Sequence, residues 1–348
     1  MYFHGSIRVG IGFIFYKLVK ILIVCKEIIP ARLYGGVERM VWYLGRELAG
    51  MGHEVTFLVK EGSSCNFARV SHLDMSGKIA DQVPDSVDLV HYHYTPEDVA
   101  ETAKPYLITI HGNRNDFREH DRNAVFVSKD HASRYGSDVY VYNGLDWNDY
   151  TIPDLSTARG YFHFLGKAAW RVKNVQGAID TIKQTRREKL KVLGGRRLNV
   201  KMGWRFTLSP RVRFYGMTGG NRKDQLLNHS KGLIYPVRWH EPFGLALIES
   251  LYFGCPVFGT PYGALPELIN SEVGYLSNSA ASLADAMENS ADFSPRVCHE
   301  YARDRYNSKK MTMSYLDIYE RVLAGRALNE KPPKLKEIQH EKFLEWSG

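Results

Sequence analysis

Apolar and polar positions alternate in blocks along this chain. KILIVC, from Lys20 to Cys25, is a continuous apolar run of strand length, as expected for a strand buried on both faces. GGVERMVWYLGRELAGMGH follows, with Val37, Met40, Val41, Leu44 and Leu48 at helical spacing and with Gly50 and Gly52 as stop signals. EVTFLV, VDLVHYHY, YLITIHG, NAVFVS and DVYVYNG then read as short strands, each closed by a polar or glycine-containing turn. A polar stretch near residues 147–159 interrupts this pattern, and YFHFLG, LKVLGG, VRFYG, KGLIYP and CPVFGT restart it. The pattern predicts two α/β domains with parallel sheets, whose ligands would sit beyond the C-terminal ends of the strands. From Leu328 onward, EKPPKLKE reads as a loosely ordered tail.

Composition narrows the classes. The chain has 348 residues, 44% of them hydrophobic and 24% charged, enough for two ordinary globular cores. A net charge of +8 favours anionic partners without naming one. Cys25, Cys65, Cys255 and Cys298 form no C-x-x-C pair, so neither a zinc site nor a disulfide framework is expected, and a reducing cytoplasm fits. In the first 25 residues Arg8, Lys17 and Lys20 break the apolar runs well short of the roughly 18 residues a membrane span needs. Residues 1–19 read as an N-terminal extension.

The turn after the first strand, KEIIPARLYGGVER, lacks G-x-G-x-x-G, which removes the main support for a dinucleotide-binding oxidoreductase. No G-x-x-x-x-G-K-[ST] occurs, and GGNRKDQ only superficially resembles one. Ser128 has no G-x-S-x-G around it and reads as a helix cap. His91 and His93 share one strand face but lack a third ligand at metal spacing, so they read as structural. From Arg186 to Arg213 ten Lys or Arg residues accompany one acid, Glu188. The thin aromatic interleaving there argues against nucleic acid and leaves a solvated face or contact with an anionic membrane.

KGLIYPVRWHEPFGLALIESLYFGCPVFGT reads as strand, loop, helix, strand, with Pro242 near the helix start. The first-turn amides of Phe243, Gly244 and Leu245 are then free for a ligand, and Glu241 and Glu249 bracket about 12 Å of helical rise. Two carboxylates so spaced suit the two ends of one extended ligand; a helix-start charge and a solvated glutamate are the plain alternative.

EPFGLALIE, followed by GCPVFGTPYGALPELI, resembles the E-x7-E motif region of the family 4 retaining glycosyltransferases, which have the GT-B fold of two Rossmann-like domains facing across a cleft. GGVER, ITIHG, VFVS, YNGLD and FLGK are weaker echoes in the same order, so the resemblance spans roughly residues 20–325. It implies an acceptor domain at 20–150, a nucleotide-sugar domain at 151–310, and a helix at 311–348 returning to the first domain before the tail. It implies sugar transfer from a nucleotide-sugar donor, UDP favoured over GDP, to a carbohydrate or glycolipid acceptor, with configuration retained by front-side attack. In that reading Glu241 binds donor-sugar hydroxyls, Glu249 grips the ribose diol, and Gly35, Gly36 and the amides of Phe243, Gly244 and Leu245 approach sugar and phosphates. His111 would lie near the transferred sugar. The family's glycine-arginine and later lysine correspond only loosely to Gly166-Lys167, Arg171 and Lys173; Lys167 and Lys173 are the expected diphosphate partners, with Arg171 the third candidate. No D-x-D occurs, so no metal and no cofactor are expected, and the setting implied is cytoplasmic, at the inner membrane face, in surface polysaccharide or glycolipid assembly. A GT-B phosphorylase and a catalytically silent GT-B scaffold are the competing readings.

Overall fold

The computed structural model describes residues 18–31, 35–199 and 204–348, so the extension read at 1–19 lies almost wholly outside the described residues. The first unit runs β1 (Lys20–Cys25), α1 (Gly36–Gly50), β2 (Glu54–Val59), β3 (Arg69–His72), β4 (Leu89–Tyr92), β5 (Tyr106–Ile110), β6 (Ala124–Phe126) and α2 (Lys129–Arg134). Its six strands are parallel in the order β3-β2-β1-β4-β5-β6. β1 is central, and every residue from Ile21 to Cys25 is buried, which is why it reads as unbroken apolar sequence.

The second unit opens with β7 (Tyr161–Leu165), α3 (Val175–Gln184), β8 (Leu190–Leu193), the two-residue strands β9 (Leu198–Asn199) and β10 (Arg205–Phe206), and β11 (Val212–Phe214). It continues with α4 (Gly220–Asn228), β12 (Ser230–Tyr235), α5 (Leu245–Tyr252), β13 (Val257–Gly259), α6 (Leu265–Leu268), β14 (Gly274–Leu276), α7 (Ala280–Glu288) and α8 (Pro295–Arg305). The order β11-β8-β7-β12-β13-β14 repeats that of the first sheet. In both, the strand order reverses beside the first strand, at β1/β4 and at β7/β12, and there the loops splay to leave a crevice.

The last helix, α9 (Ser308–Leu323), packs on α1 and against β5 of the first unit. Leu44 and Leu48 on α1 and Tyr315 and Tyr319 on α9 are all buried, each apolar side chain contributing about 1.5–3 kcal/mol. One apolar cluster runs from these helices through Leu145 and Tyr150 to Phe243 and Leu247, so the two units share a core. Where the chain leaves the first unit it crosses its own return. Leu145 exchanges backbone hydrogen bonds with Tyr306 and Ser308, and the preceding Gly144 lies so close to the Asn307 carbonyl that a Cβ could not fit. No helix among the described residues is long and apolar enough to cross a membrane.

Two expectations need correction, and one strand was missed. DVYVYNG is not a strand: Phe126 bonds Val139 and Val141, giving one bridge at Tyr140, and the run is apolar because Val139 and Val141 enter the core. β3 was not legible because its residues are largely exposed and only the ladder to β2 holds it. The tail is not loose. Leu328 and Leu335 are buried, the backbone amides of Asn329, Lys334 and Lys336 bond carbonyls of the first unit, and those of Leu344 and Ser347 bond carbonyls of the second.

Candidate active site

A cavity of about 410 Å³ lies between the units at the C-terminal ends of both sheets. Gly35, Gly36, Arg39 and His111 line it from the first unit, and Lys167, Lys173, Glu241, Phe243, Gly244, Leu245 and Glu249 from the second.

Glu241 lies in the loop after β12, outside any helix. α5 begins only at Leu245 with Gly244 as its cap (φ 92°), so Pro242 precedes the helix instead of opening it. The Leu247 amide already donates to the Gly244 carbonyl, so among the described residues the unspent first-turn amides are those of Leu245 and Ala246; of the three the sequence suggests, Phe243 and Gly244 precede the helix. The Glu241 backbone is fixed from beyond β13: the Ala264 amide donates to its carbonyl, and Gly263 (φ 63°) packs so tightly on it that any Cβ would collide. That contact explains the glycine of GALPE. Glu267 of the same turn accepts bonds from the amides of Lys129 and Asp130 at the N-terminus of α2 and from the Tyr142 hydroxyl, tying the units together.

Each glutamate is anchored through one oxygen. Glu241 Oε2 accepts from Lys173 Nζ at 2.5 Å, Trp239 Nε1 at 2.9 Å and the Tyr235 hydroxyl at 3.1 Å. Glu249 Oε1 accepts from Lys223 Nζ at 2.5 Å, Arg39 Nη1 at 2.8 Å and the Tyr150 hydroxyl at 2.9 Å. Among the described residues, Glu241 Oε1 and Glu249 Oε2 take no bond. Burial alone would push the Glu249 carboxyl up, but Arg39 and Lys223 outweigh it and hold it down at about 2. Arg39 and Lys223 were not legible as site residues. Arg39 sits one turn into α1, where its Nε also donates to the Gly35 carbonyl, and Lys223 lies in the GGNRKDQ stretch that begins α4.

The three cations of the β7 loop part company. Lys167 and Lys173 line this cavity, Lys167 over the Trp170 ring and Lys173 paired with Glu241, whereas Arg171 turns its guanidinium onto Phe343 outside it. Lys173 is therefore an anchored ion and not an open point charge. On the first-unit wall, His111 Nε2 is 2.9 Å from His93 Nδ1, and the His93 ring stacks on His91 at 4.3 Å. Burial lowers His111 to about 4, so it is neutral at pH 7, able to donate or accept hydrogen bonds without charge. His93 thus supports a cavity residue, beyond the purely structural part its sequence suggested. Ser128 caps α2, accepting the His131 amide. All four cysteines are free.

The strand order and the position of this cavity permit a direct comparison with known proteins. Residues 159–292 match the family model for glycosyl transferases group 1. The whole fold is similar to AviGT4, a glycosyltransferase involved in avilamycin A biosynthesis, with 19% identity and a TM-score of 0.71 over 88% of this chain and 98% of that one. Sucrose-phosphate synthase from Thermosynechococcus elongatus gives 16% and 0.66 over 88% and 100%. Anabaena HepE in complex with UDP-glucose gives 16% and 0.64 over 88% and 100%. The fold is GT-B. No curated protein matches the chain. In this GT-B chain the matched segment holds Glu241, Glu249, Lys167, Lys173 and Lys223, and the opposite wall, with Arg39 and His111, belongs to the first unit.

Proposed function

We propose that the chain is a retaining glycosyltransferase that takes a sugar from a nucleotide-sugar donor and places it on an acceptor hydroxyl. The observation that carries this reading is the pair of half-anchored glutamates in one cavity, each with one oxygen spent on protein donors and one left for a ligand. Hydroxyl groups are the natural partners of such acceptors. Glu241 Oε1 serves the donor sugar. Glu249 has a single oxygen to offer, so both ribose hydroxyls share Oε2 instead of taking one oxygen each. Lys167 and the amides of Leu245 and Ala246 face the diphosphate, where fixed positive charge stabilises the departing nucleotide. Neutral His111 bonds the transferred sugar. No metal takes part in this scheme, because protein cations and dipoles do that work.

UDP is the proposed nucleotide; HepE, similar in fold, was solved with UDP-glucose. The proposed setting is surface polysaccharide or glycolipid assembly on the cytoplasmic side of a membrane. Arg197 and Arg211 donate to backbone carbonyls, so membrane contact by the basic stretch falls to the exposed Arg186, Arg187, Lys189, Arg196 and Arg213.

The test is a thermal-shift panel of nucleotides and nucleotide sugars, followed by transfer from the best donor with and without EDTA. A ligand at about 100 times its Kd stabilises by about 2.7 kcal/mol. UDP and one UDP-sugar should shift the transition, and sugar release should survive chelation. Binding without turnover would leave the silent scaffold, and turnover dependent on inorganic phosphate would establish the phosphorylase.

A further inference from the structure

A second cavity, of about 530 Å³, opens on the other side of Trp170 from the first. Its floor is the N-terminus of α3, a ten-residue helix capped by Asn174. Asn174 is the one non-glycine residue with positive φ (53°) among those described, and it is 8% exposed. Its Oδ1 accepts the Gly177 amide at 3.0 Å, but among the described residues its buried Nδ2 has no acceptor. A buried amide donor left without a partner in a strained residue is uncommon, and this one lines a cavity.

The walls say what would satisfy it. Arg171, Arg205 and Arg238 line the cavity, and none has an ion-pair partner among the described residues; Asp180 is the acid opposite them. The guanidiniums of Arg171 and Arg238 lie over the Phe343 ring at 4.9 and 5.2 Å, which fixes both in place. Two guanidiniums without an ion-pair partner, of which Arg238 spends its Nε on the Leu344 carbonyl, together with the positive end of α3 and an unpartnered N–H, describe a receptor for one anionic group. Beside it stand Trp170, 38% exposed, and Trp204, 77% exposed. Flat indole faces open to solvent suit the C–H face of a pyranose ring.

We propose that this second cavity binds an anionic saccharide, its carboxylate or phosphate at Asn174 and Arg171 and its rings on Trp170 and Trp204. The site is separate from the candidate active site, and the proposal stands whether or not the chain transfers sugars.

Calorimetry on the full chain tests it, with trigalacturonate and glucose 6-phosphate as probes and maltotriose and inorganic phosphate as controls. At least one probe should bind about tenfold or more tightly than both controls, and saturating UDP should not displace it. Arg171→Gln and Asn174→Asp should each weaken it about tenfold, the latter because it replaces the donor with an acceptor while keeping the helix cap. Trp204→Ala, at an exposed position where folding is not at risk, should weaken it about threefold. Failure of both probes to bind better than the controls would overturn the proposal, as would displacement by UDP, which would place the saccharide in the first cavity. Unchanged affinity in all three variants would overturn it too.

Discussion

Glu241 and Glu249 stand eight positions apart, face one cavity and are each held by a lysine, an aromatic donor and one further donor, yet they belong to different mechanical parts of the molecule. Every partner of Glu241, namely Lys173, Tyr235 and Trp239, comes from the second unit. Glu249 takes Lys223 from the second unit but Arg39 from α1 of the first, and Arg39 also bonds Tyr150 at 2.8 Å. Glu241 is thus set once its own unit has folded, while Glu249 is complete only when the units meet. The same motif therefore joins a fixed carboxylate to one whose environment reports the closure of the cleft.

Removing each carboxylate should expose that difference most strongly. Glu249→Ala strands two partly buried cations and should cost about 3–5 kcal/mol in denaturant unfolding, whereas Glu241→Ala strands only Lys173 and should cost clearly less. Equal losses would mean that the inter-unit partner adds nothing. In activity, Lys167→Ala with Lys173→Ala should lower turnover about 10²- to 10³-fold, since in the proposed scheme one cation faces the diphosphate, and the other holds Glu241. Normal turnover in that double variant would remove both lysines from the mechanism.

Arg39→Gln is more selective. It should weaken contact between the units by about 1.5–3 kcal/mol, the worth of a hydrogen bond to a charged group, and widen the molecule in small-angle scattering, while Lys223 keeps Glu249 ionised. An unchanged scattering profile would show that the shared core alone fixes closure.

The smallest effect is in pH. Half-buried His111 is lowered to about 4 from an ordinary value near 6.5 by desolvation, so the unfolded chain takes up its proton first. Its neutral form is accommodated fully above pH 6.5, and stability falls as pH drops from there toward 4, by up to about 1.4 kcal/mol per pH unit for one proton. Glu249, lowered from 4.5 to about 2, gives stability that is intact above 4.5 and lost as pH falls toward 2. His111→Asn should flatten the slope of unfolding free energy between pH 6.5 and 4.5 and leave the lower limb alone; an unaltered upper slope would assign it to the other buried histidines.

The sequence made the central strands and the glutamate pair legible because both are local. KILIVC, YLITI and KGLIY are continuous apolar runs, since their strands are buried on both faces. β3 and the three-residue β14 carry no such run and exist by pairing with a neighbour. Arg39 is 210 positions from Glu249, and nothing in GGVER or EPFGLALIE announces that they touch. Arg171 and Lys173 are two residues apart in a single turn, and only the Phe343 ring, contributed by the tail, shows that the first faces away from the cavity lined by the second. Long-range backbone bonding likewise hid the order of the tail, whose composition reads as loose.

That tail changes how the molecule can move. Leu145 and Asn307 cross side by side and would by themselves form a simple pivot, like a book spine. Residues 339–344 carry the chain from Asn115 on one cover to Arg238 on the other, away from the spine. A gate fastened at its spine alone swings freely; one with a strap between its leaves has a stop. Opening beyond the slack of that strap must first strip the Leu344 amide from the Arg238 carbonyl or the Gln339 amide from Asn115, so the tail sets the travel of the cleft as well as its closed position.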